Sequence, residues 1–500
     1  MKTKVAAIYG KRDVRLREFE LPEITDNELL VSVISDSVCL STWKAALLGS
    51  EHKRVPDDLE NHPVITGHEC AGVIVEVGKN LTGKYKKGQR FVLQPAMGLP
   101  SGYSAGYSYE YFGGNATYMI IPEIAINLGC VLPYHGSYFA AASLAEPMCC
   151  IIGAYHANYH TTQYVYEHRM GVKPGGNIAL LACAGPMGIG AIDYAINGGI
   201  QPSRVVVVDI DDKRLAQVQK LLPVDLAASK GIELVYVNTK GMSDPVQTLR
   251  ALTGDVGFDD IFVYAAVPAV VEMADELLAE DGCLNFFAGP TDKNFKVPFN
   301  FYNVHYNSTH VVGTSGGSTD DMKEAIALSA TGQLQPSFMV THIGGLDAVP
   351  DTVLNLPDIP GGKKLIYNGV TMPLTAIADF AEKGKTDPLF KELARLVEET
   401  HGIWNEQAEL IDFCQAKGDY TENRQIAEQE RKRCKAMGVD VNRVYSLDEL
   451  VRGNDILFSA TGVTGGELVN GIQQTANGVR TQTLLIGGAD QTCNIIDSLH

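Results

Sequence analysis

The sequence has no run of eighteen uncharged apolar residues, so no segment is long enough to cross a bilayer as a helix. Its beginning, MKTKVAAIYGKRDVRLREF, holds a short apolar stretch before charge resumes, too brief for the core of a secretory signal. Cys-x-x-Cys pairs are also missing. Ten cysteines lie scattered through 500 residues, a pattern of buried thiols or metal ligands in a reducing compartment rather than of disulfide staples. Basic residues are in deficit, 41 Lys and Arg against 59 Asp and Glu, and the formal charge of −18 repels phosphate backbones and anionic lipid. The expectation is a cytoplasmic protein that binds neither nucleic acid nor membrane. An anionic small substrate stays open, provided that local basic groups work against the global field. There is no repeat period to suggest a solenoid.

What is present is ordinary globular composition, 45% hydrophobic and 20% charged. At roughly 150 residues per domain, about three domains are expected. Residues 1 to about 150 read as short β pieces between turns, at 29–34, 72–77, 90–93 and 117–121. From about residue 155 to 313, apolar runs alternate with helical stretches, with strands at 177–182, 204–209, 260–264, 283–287 and 310–312, the alternation of a parallel sheet with crossover helices. A strand at 364–367 precedes a helix-forming stretch at 374–409, interrupted at Gly384 and Pro388. Beyond residue 415 the pattern predicts a charged helix at 422–437, a strand at 455–460, a Gly-rich turn at 462–466 and a strand at 483–486.

Two constellations carry chemistry. Gly67-His68-Glu69-Cys70-Ala71-Gly72 sets an imidazole beside a carboxylate at a turn entering a strand, with Cys39 upstream and Glu146 opening a helix downstream. Thiolate, imidazole and carboxylate are zinc-ligand types, and three of them with one open position make a Lewis-acid centre rather than a structural staple. Taken singly, Cys39 reads as a small buried hydrophobe and His68 as a satisfied polar group; the combination favours metal. The second constellation is the apolar strand 177–182 running into Cys183-Ala184-Gly185-Pro186-Met187-Gly188, a turn that lets backbone approach a pyrophosphate at a helix N-terminus. Asp209 follows about 20 positions on, where a carboxylate accepts a ribose hydroxyl and favours NAD; nearby Lys213 and Arg214 keep NADP open. Cys183 stands where the usual fingerprint has its first glycine.

The order Cys39, Gly67-His68-Glu69, Gly113-Gly114, Glu146-Pro147, Gly185-Pro186-Met187-Gly188, Asp209 resembles the zinc-dependent medium-chain dehydrogenases over residues 1–372, especially the sorbitol dehydrogenase branch. The tyrosine-rich insert at 101–111 and the extra stretch 155–170 further resemble the L-sorbose 1-phosphate reductase group. The resemblance implies an α/β architecture. A GroES-like β-rich catalytic domain (1–154 and 314–372) would join a Rossmann doubly wound parallel sheet (155–313), followed by a helical extension at 373–409. It implies a catalytic zinc held by Cys39, His68 and Glu69, with Glu146 as ligand or as partner to its water, and Ser41 relaying the alcohol proton. Gly185, Pro186, Met187, Gly188 and Asp209 would bind NAD(P). The family's structural-zinc lobe needs four closely spaced cysteines, and residues 95–125 contain none, so one zinc per chain is expected. A homo-oligomer built on the strand edge at 310–312 is likewise implied by resemblance.

Residues 417–500, through Lys417-Gly418-Asp419-Tyr420, Arg433-Cys434-Lys435-Ala436-Met437-Gly438 and Phe458-Ser459-Ala460-Thr461-Gly462, resemble the C-terminal quarter of class II (GlpX-type) fructose-1,6-bisphosphatases. The Mg²⁺-binding carboxylates of that family lie in parts absent here, so the fragment, placed at 410–500 by pattern, should be catalytically silent. The leading expectation is a zinc oxidoreductase acting on a polyol or ketose, with a sugar phosphate as the favoured form. A bisphosphatase and a non-catalytic nucleotide-binding protein are the alternatives. For a phosphate, Lys44 is the cation with a positional argument, against the plainer reading of a solvated surface lysine. His156, His160 and His168 could share a helical face, but Tyr155, Tyr159, Tyr164 and Tyr166 around them favour aromatic packing over a metal site.

Overall fold

A computed structural model describes residues 1–162 and 164–410, together with the backbone of three short strands, Ile456–Ser459, Gln482–Ile486 and Ile495–Ser498. The N-terminal lobe contains β1 (Lys2–Gly10), β2 (Asp13–Glu20), β3 (Leu29–Val38), helix α1 (Leu40–Leu48), β4 (Val64–Ile65), β5 (Cys70–Val77), β6 (Arg90–Leu93), β7 (Tyr118–Ile121) and β8 (Val131–Pro133). β3 is buried along its whole length, as expected of LLVSVISDSV at the centre of a sheet. It pairs antiparallel with β5 and β7. β1 and β2, rich in charge on their outer positions, form a smaller sheet with β4 and were not read from the sequence.

Helix α2 (Ala145–Ala157) leads through a hairpin, β9 (Tyr159–Thr161) and β10 (His168–Met170), into six parallel strands. These are β11 (Asn177–Leu181), β12 (Arg204–Asp209), β13 (Glu233–Asn238), β14 (Phe258–Val263), β15 (Leu278–Phe286) and β16 (His310–Val312). Their order, β13-β12-β11-β14-β15-β16, is that of a doubly wound dinucleotide-binding sheet, with the strand order reversing beside β11. β13 is the strand the sequence pattern missed. It lies at the edge, paired only with β12, and just one of its residues is fully buried.

After β16 and helix α3 (Thr319–Ala330), the chain returns to the N-terminal lobe as β17 (Val340–Gly345), β18 (Lys363–Tyr367) and β19 (Thr375–Ala376). β18 pairs with β3, so residues more than three hundred positions apart are neighbours in one eight-stranded sheet. The stretch predicted as helix pieces starts with β19 and a short helix at Phe380–Lys383, then helix α4 (Pro388–Glu398), capped by Asp387. It docks by burying Phe380, Leu393, Leu396 and Trp404. Each such Phe or Leu contributes about 1.5–3 kcal/mol relative to exposure. Glu409 then accepts hydrogen bonds from the Phe139 and Ala140 amides at 2.8 Å and from the Tyr367 hydroxyl at 2.7 Å.

The insert at 155–170 is not one helical face. α2 ends at Ala157 and the three histidines take separate places. His156 pairs with Asp321 at 2.7 Å, buried His160 with Asp260 at 3.1 Å, and His168 stacks on Tyr159 at 4.4 Å between centroids. Two of the three thus pair with carboxylates and one stacks on an aromatic ring, and among the described residues they share no metal-ligand group. Of the expected C-terminal elements, the strands near 456 and 483 are present and pair in parallel, and Ile495–Ser498 joins antiparallel. The charged helix at 422–437 and the turn at 462–466 lie outside the described residues. No helix among the described residues is long and apolar enough to cross a membrane. All described cysteines are free thiols.

Candidate active site

A cleft of about 2350 Å³ runs between the N-terminal lobe and the parallel sheet, and both sequence constellations line it. Cys39 follows β3 directly and occupies the N-cap position of α1, though its side chain makes no capping bond. His68 and Glu69 sit on the turn before β5. Gly67 has φ +87°, and a Cβ there would fall 2.5 Å from a carboxylate oxygen of Asp36 and 2.6 Å from the Asn115 amide nitrogen. Only glycine makes this turn, which is what swings His68 and Glu69 toward Cys39.

One ligand atom each from Cys39, His68 and Glu69 lies within 4.8 Å of the other two, the sole such His, Cys, Asp and Glu group among the described residues. Sulfur, nitrogen and oxygen donors at this spacing fit a single zinc with an open position. The Ser41 hydroxyl donates to Cys39 Sγ at 2.9 Å and lies 3.3 Å from His68 Nε2. Thr42 Oγ1 engages His68 Nδ1 at 3.3 Å, leaving Nε2 facing the cluster. Burial lowers His68 below the ordinary imidazole range, against the raising pull of Glu146 and Glu69, so the ring is neutral and keeps a lone pair. Burial, reinforced by the Glu69 charge, raises the Cys39 thiol, so metal binding must release its proton.

Glu146, near the start of α2, lines the same cleft and is buried, but stands outside the three-residue cluster. Burial and the Glu69 charge raise it to about 7, with His68 pulling the other way. The Cys150 thiol, one turn later on α2, contacts it at 3.5 Å.

Three partners escaped sequence reasoning. Lys363, at the start of β18, is buried and grips Glu69 with Nζ 2.5 and 2.6 Å from its two oxygens. Burial alone would lower this ammonium, and the pull of Glu69 outweighs it. Ser37 donates to the same carboxylate. Tyr107, from the tyrosine-rich insert, reaches in to donate to Ser41 Oγ at 2.8 Å and lies 3.3 Å from His68 Nε2. No local motif signals Lys363, because its role exists only once β18 pairs with β3.

Across the cleft, Gly185 is the N-cap of helix 186–197, with Pro186 at its first position. A Cβ on Gly188 would lie 1.8 Å from the Cys183 carbonyl oxygen, so this glycine permits the close packing of helix on strand. A Cβ on Gly185 would meet nothing within 4 Å, so the turn faces open cleft, as a pyrophosphate cradle must. The missing first glycine is accommodated: the left-handed conformation falls on Ala182 (φ +54°), and Cys183 is fully buried beneath the turn. Asp209, at the end of β12, accepts from the Ala184 amide at 2.9 Å and from the Ile210 and Asp211 amides at 2.8 and 3.1 Å, tying the glycine turn to the strand that follows it. Lys44 is not a solvated surface residue. It is half-buried in the cleft and donates to the Gly289 carbonyl at 2.5 Å, across to the loop after β15.

Comparison with known proteins gives the family. The alcohol dehydrogenase GroES-like domain family matches residues 25–129 and the zinc-binding dehydrogenase family residues 186–331. The Escherichia coli (strain K12) protein YggP is 99% identical over 409 residues, 82% of this chain and 96% of its own length. Mannitol-1-phosphate 5-dehydrogenase of Aliivibrio fischeri is 66% identical over 82% of this chain and 98% of its own. L-sorbose 1-phosphate reductase of Klebsiella pneumoniae is 46% identical over 83% and 98%. Among solved structures, 2R,3R-butanediol dehydrogenase from Bacillus subtilis shares the fold with a TM-score of 0.60 at 20% identity, over 73% of this chain and 99% of its own. Residues 407–500 match a different family, bacterial glpX-encoded fructose-1,6-bisphosphatase. There an Escherichia coli (strain K12) class 2 enzyme is 48% identical over 84 residues, a quarter of its length. Through residue 409 or so, the chain belongs to the zinc-binding dehydrogenase family with a GroES-like domain, among its polyol and sugar-phosphate dehydrogenases.

Proposed function

We propose that this chain exchanges hydride between a nicotinamide dinucleotide and the carbon of a phosphorylated ketose or polyol. The convergence of Cys39, His68 and Glu69 within 4.8 Å, in a cleft shared with the Gly185–Gly188 turn, carries the reading. The two relatives named for sugar phosphates favour a phosphorylated substrate. When bound, a single zinc on these three residues supplies a Lewis acid for the substrate oxygen, and the dinucleotide on the glycine turn supplies or accepts the hydride.

The protein's own groups do the rest. Ser41 Oγ, held between Cys39, His68 and the Tyr107 hydroxyl, is placed to take the alcohol proton into a hydroxyl chain. Lys363 and Ser37 fix the Glu69 carboxylate, and Thr42 fixes the His68 ring. Glu146 acts as hydrogen-bond partner to water in the open position. Asp209 takes a ribose hydroxyl on lone pairs its amide donors leave free, and its charge favours NAD over NADP. The bisphosphatase alternative has no support in chemistry, since its matched segment is a quarter of that enzyme. We further propose self-association through β16, whose edge exposes Val311 in a groove that exposed Phe301 also lines. Sedimentation of the wild type and Val311→Lys would test it.

The functional test follows NADH absorbance with purified full-length chain offered L-sorbose 1-phosphate, fructose 6-phosphate and their unphosphorylated sugars. NADH oxidation with a much higher kcat/KM for a phosphorylated ketose than for its unphosphorylated sugar is the expected result. Turnover of unphosphorylated sugars alone, or of none by zinc-loaded protein, would overturn the substrate class.

A further inference from the structure

A phosphorylated substrate needs a cation inside a cleft of a strongly acidic protein, so each basic side chain there can be asked whether its donors already have a protein partner. Around the Cys39 cluster, the N-terminal lobe and returning strands supply Lys44, Arg54, Lys363 and Lys364. Lys363 is committed to Glu69. Lys44 is held by the Gly289 carbonyl, and Lys364 by the carbonyls of Pro360 and Gly362 at 3.1 and 2.7 Å. From the extension, Lys385 and Arg395 are paired with Glu382 and Glu392, and Lys391 is largely in solvent.

Arg54 differs from all of these. Among the described residues its guanidinium has no carboxylate within ion-pair distance and no hydrogen-bond acceptor, although the residue is half-buried and lines the cleft. It is also held in place. The guanidinium carbon lies 5.1 Å from the centroid of the Tyr107 ring, the ring whose hydroxyl touches Ser41 and lies beside His68 Nε2. The Arg54 carbonyl accepts from the Ser108 hydroxyl at 2.6 Å, and its amide donates to His52 Nδ1 at 3.3 Å. His52 in turn stacks on Tyr107 with centroids 5.8 Å apart. The tyrosine-rich insert thus presents a pre-set, unspent guanidinium one aromatic ring away from the metal-ligand cluster. A planar fork of donors fits phosphate oxygens two at a time, and resting it on an aromatic face reduces the entropy lost on binding.

We propose that Arg54 is the phosphate-recognition residue of the cleft, binding the phosphate of a ketose or polyol phosphate whose reacting oxygen lies at the Cys39–His68–Glu69 cluster. The inference rests on the sugar-phosphate reading above and goes beyond it by assigning the anion subsite to Arg54 instead of Lys44. It also gives the tyrosine-rich insert a task, which is to position that guanidinium.

The test compares wild type, Arg54→Met and Arg54→Lys as zinc-loaded full-length chains. The probes are inorganic phosphate by titration calorimetry, and L-sorbose 1-phosphate and L-sorbose by NADH oxidation. Loss of one charged, bidentate contact predicts about 10- to 100-fold weaker phosphate binding and a similar rise in KM for the phosphorylated sugar in Arg54→Met. Arg54→Lys recovers part of it. Zinc content stays as in the wild type, and kcat/KM for the unphosphorylated sugar falls far less than for the phosphorylated one. Unchanged phosphate binding in Arg54→Met, or equal kinetic losses on both sugars, overturns the assignment. If the wild type prefers the phosphorylated sugar and the variant keeps that preference, the substrate reading stands and Arg54 alone falls. If the wild type neither binds phosphate nor prefers the phosphorylated sugar, both fail.

Discussion

Replacing Lys363 by Met isolates the interaction that holds Glu69 when no metal is bound. The chain length is kept, so little cavity is created and the main change is electrostatic. In the metal-free protein the substitution leaves a fully buried carboxylate with the Ser37 hydroxyl and no counter-charge. At the observed 2.6 Å, Coulomb's law with an effective dielectric of about 20 gives ~6 kcal/mol for the pair. Breaking a buried pair by removing one partner costs about 3–5 kcal/mol, a large share of the 5–15 kcal/mol typical of whole domains. Zinc would change this balance, because a dication held by Glu69 would supply the carboxylate with a second counter-charge. Urea unfolding of wild type and Lys363→Met, each with chelator and with zinc, should show the full loss only in the chelated state and at most about half of it with zinc. Adding Glu69→Gln to Lys363→Met should recover stability in the chelated state. An equal loss with and without zinc, or no loss in either, would refute the view that Lys363 and the metal share Glu69.

Two further outcomes follow. Asp209→Ala removes both the negative charge and the acceptor that ties the glycine turn to β12, so NAD efficiency should fall about tenfold or more and the NADP to NAD ratio should rise; an unchanged ratio of kcat/KM values means the nucleotide is read elsewhere. His160 is buried, which alone would lower it, but the hydrogen bond and charge of Asp260, with Asp281 behind, raise it above the ordinary imidazole range. A raised folded value means that its contribution is complete below about pH 6.5 and is lost as pH climbs through the folded value. Melting temperatures from pH 5.5 to 8.5 should therefore fall more steeply in wild type than in His160→Gln, and parallel slopes would refute this.

The elements legible in the sequence were those whose signal is local. Val-rich β12 and the β11-to-glycine turn are buried on both faces and bounded by turns, so the residues alone place them. β13 escaped because an edge strand leaves little burial to pattern, β2 because charged residues run through its exposed positions, and β1 because its buried run, residues 5–8, shows no alternation. Within the site, Cys39, Ser41, His68 and Glu69 were recognisable by type and order. Lys363, Tyr107 and Arg54 were not, because each acquires its meaning only from a partner distant in sequence: β3 for Lys363, the Ser41 hydroxyl for Tyr107, and the Tyr107 ring for Arg54. Lys44 was misjudged for the same reason. Its partner, the Gly289 carbonyl, is 245 residues away.

The central claim is that Cys39, His68 and Glu69 hold a catalytic metal, and its most direct test measures zinc per chain and NADH-dependent ketose reduction together in wild type and Cys39→Ser. The account predicts close to one zinc per wild-type chain, with metal and turnover falling in parallel in the variant. Full zinc content and full turnover in Cys39→Ser would contradict it.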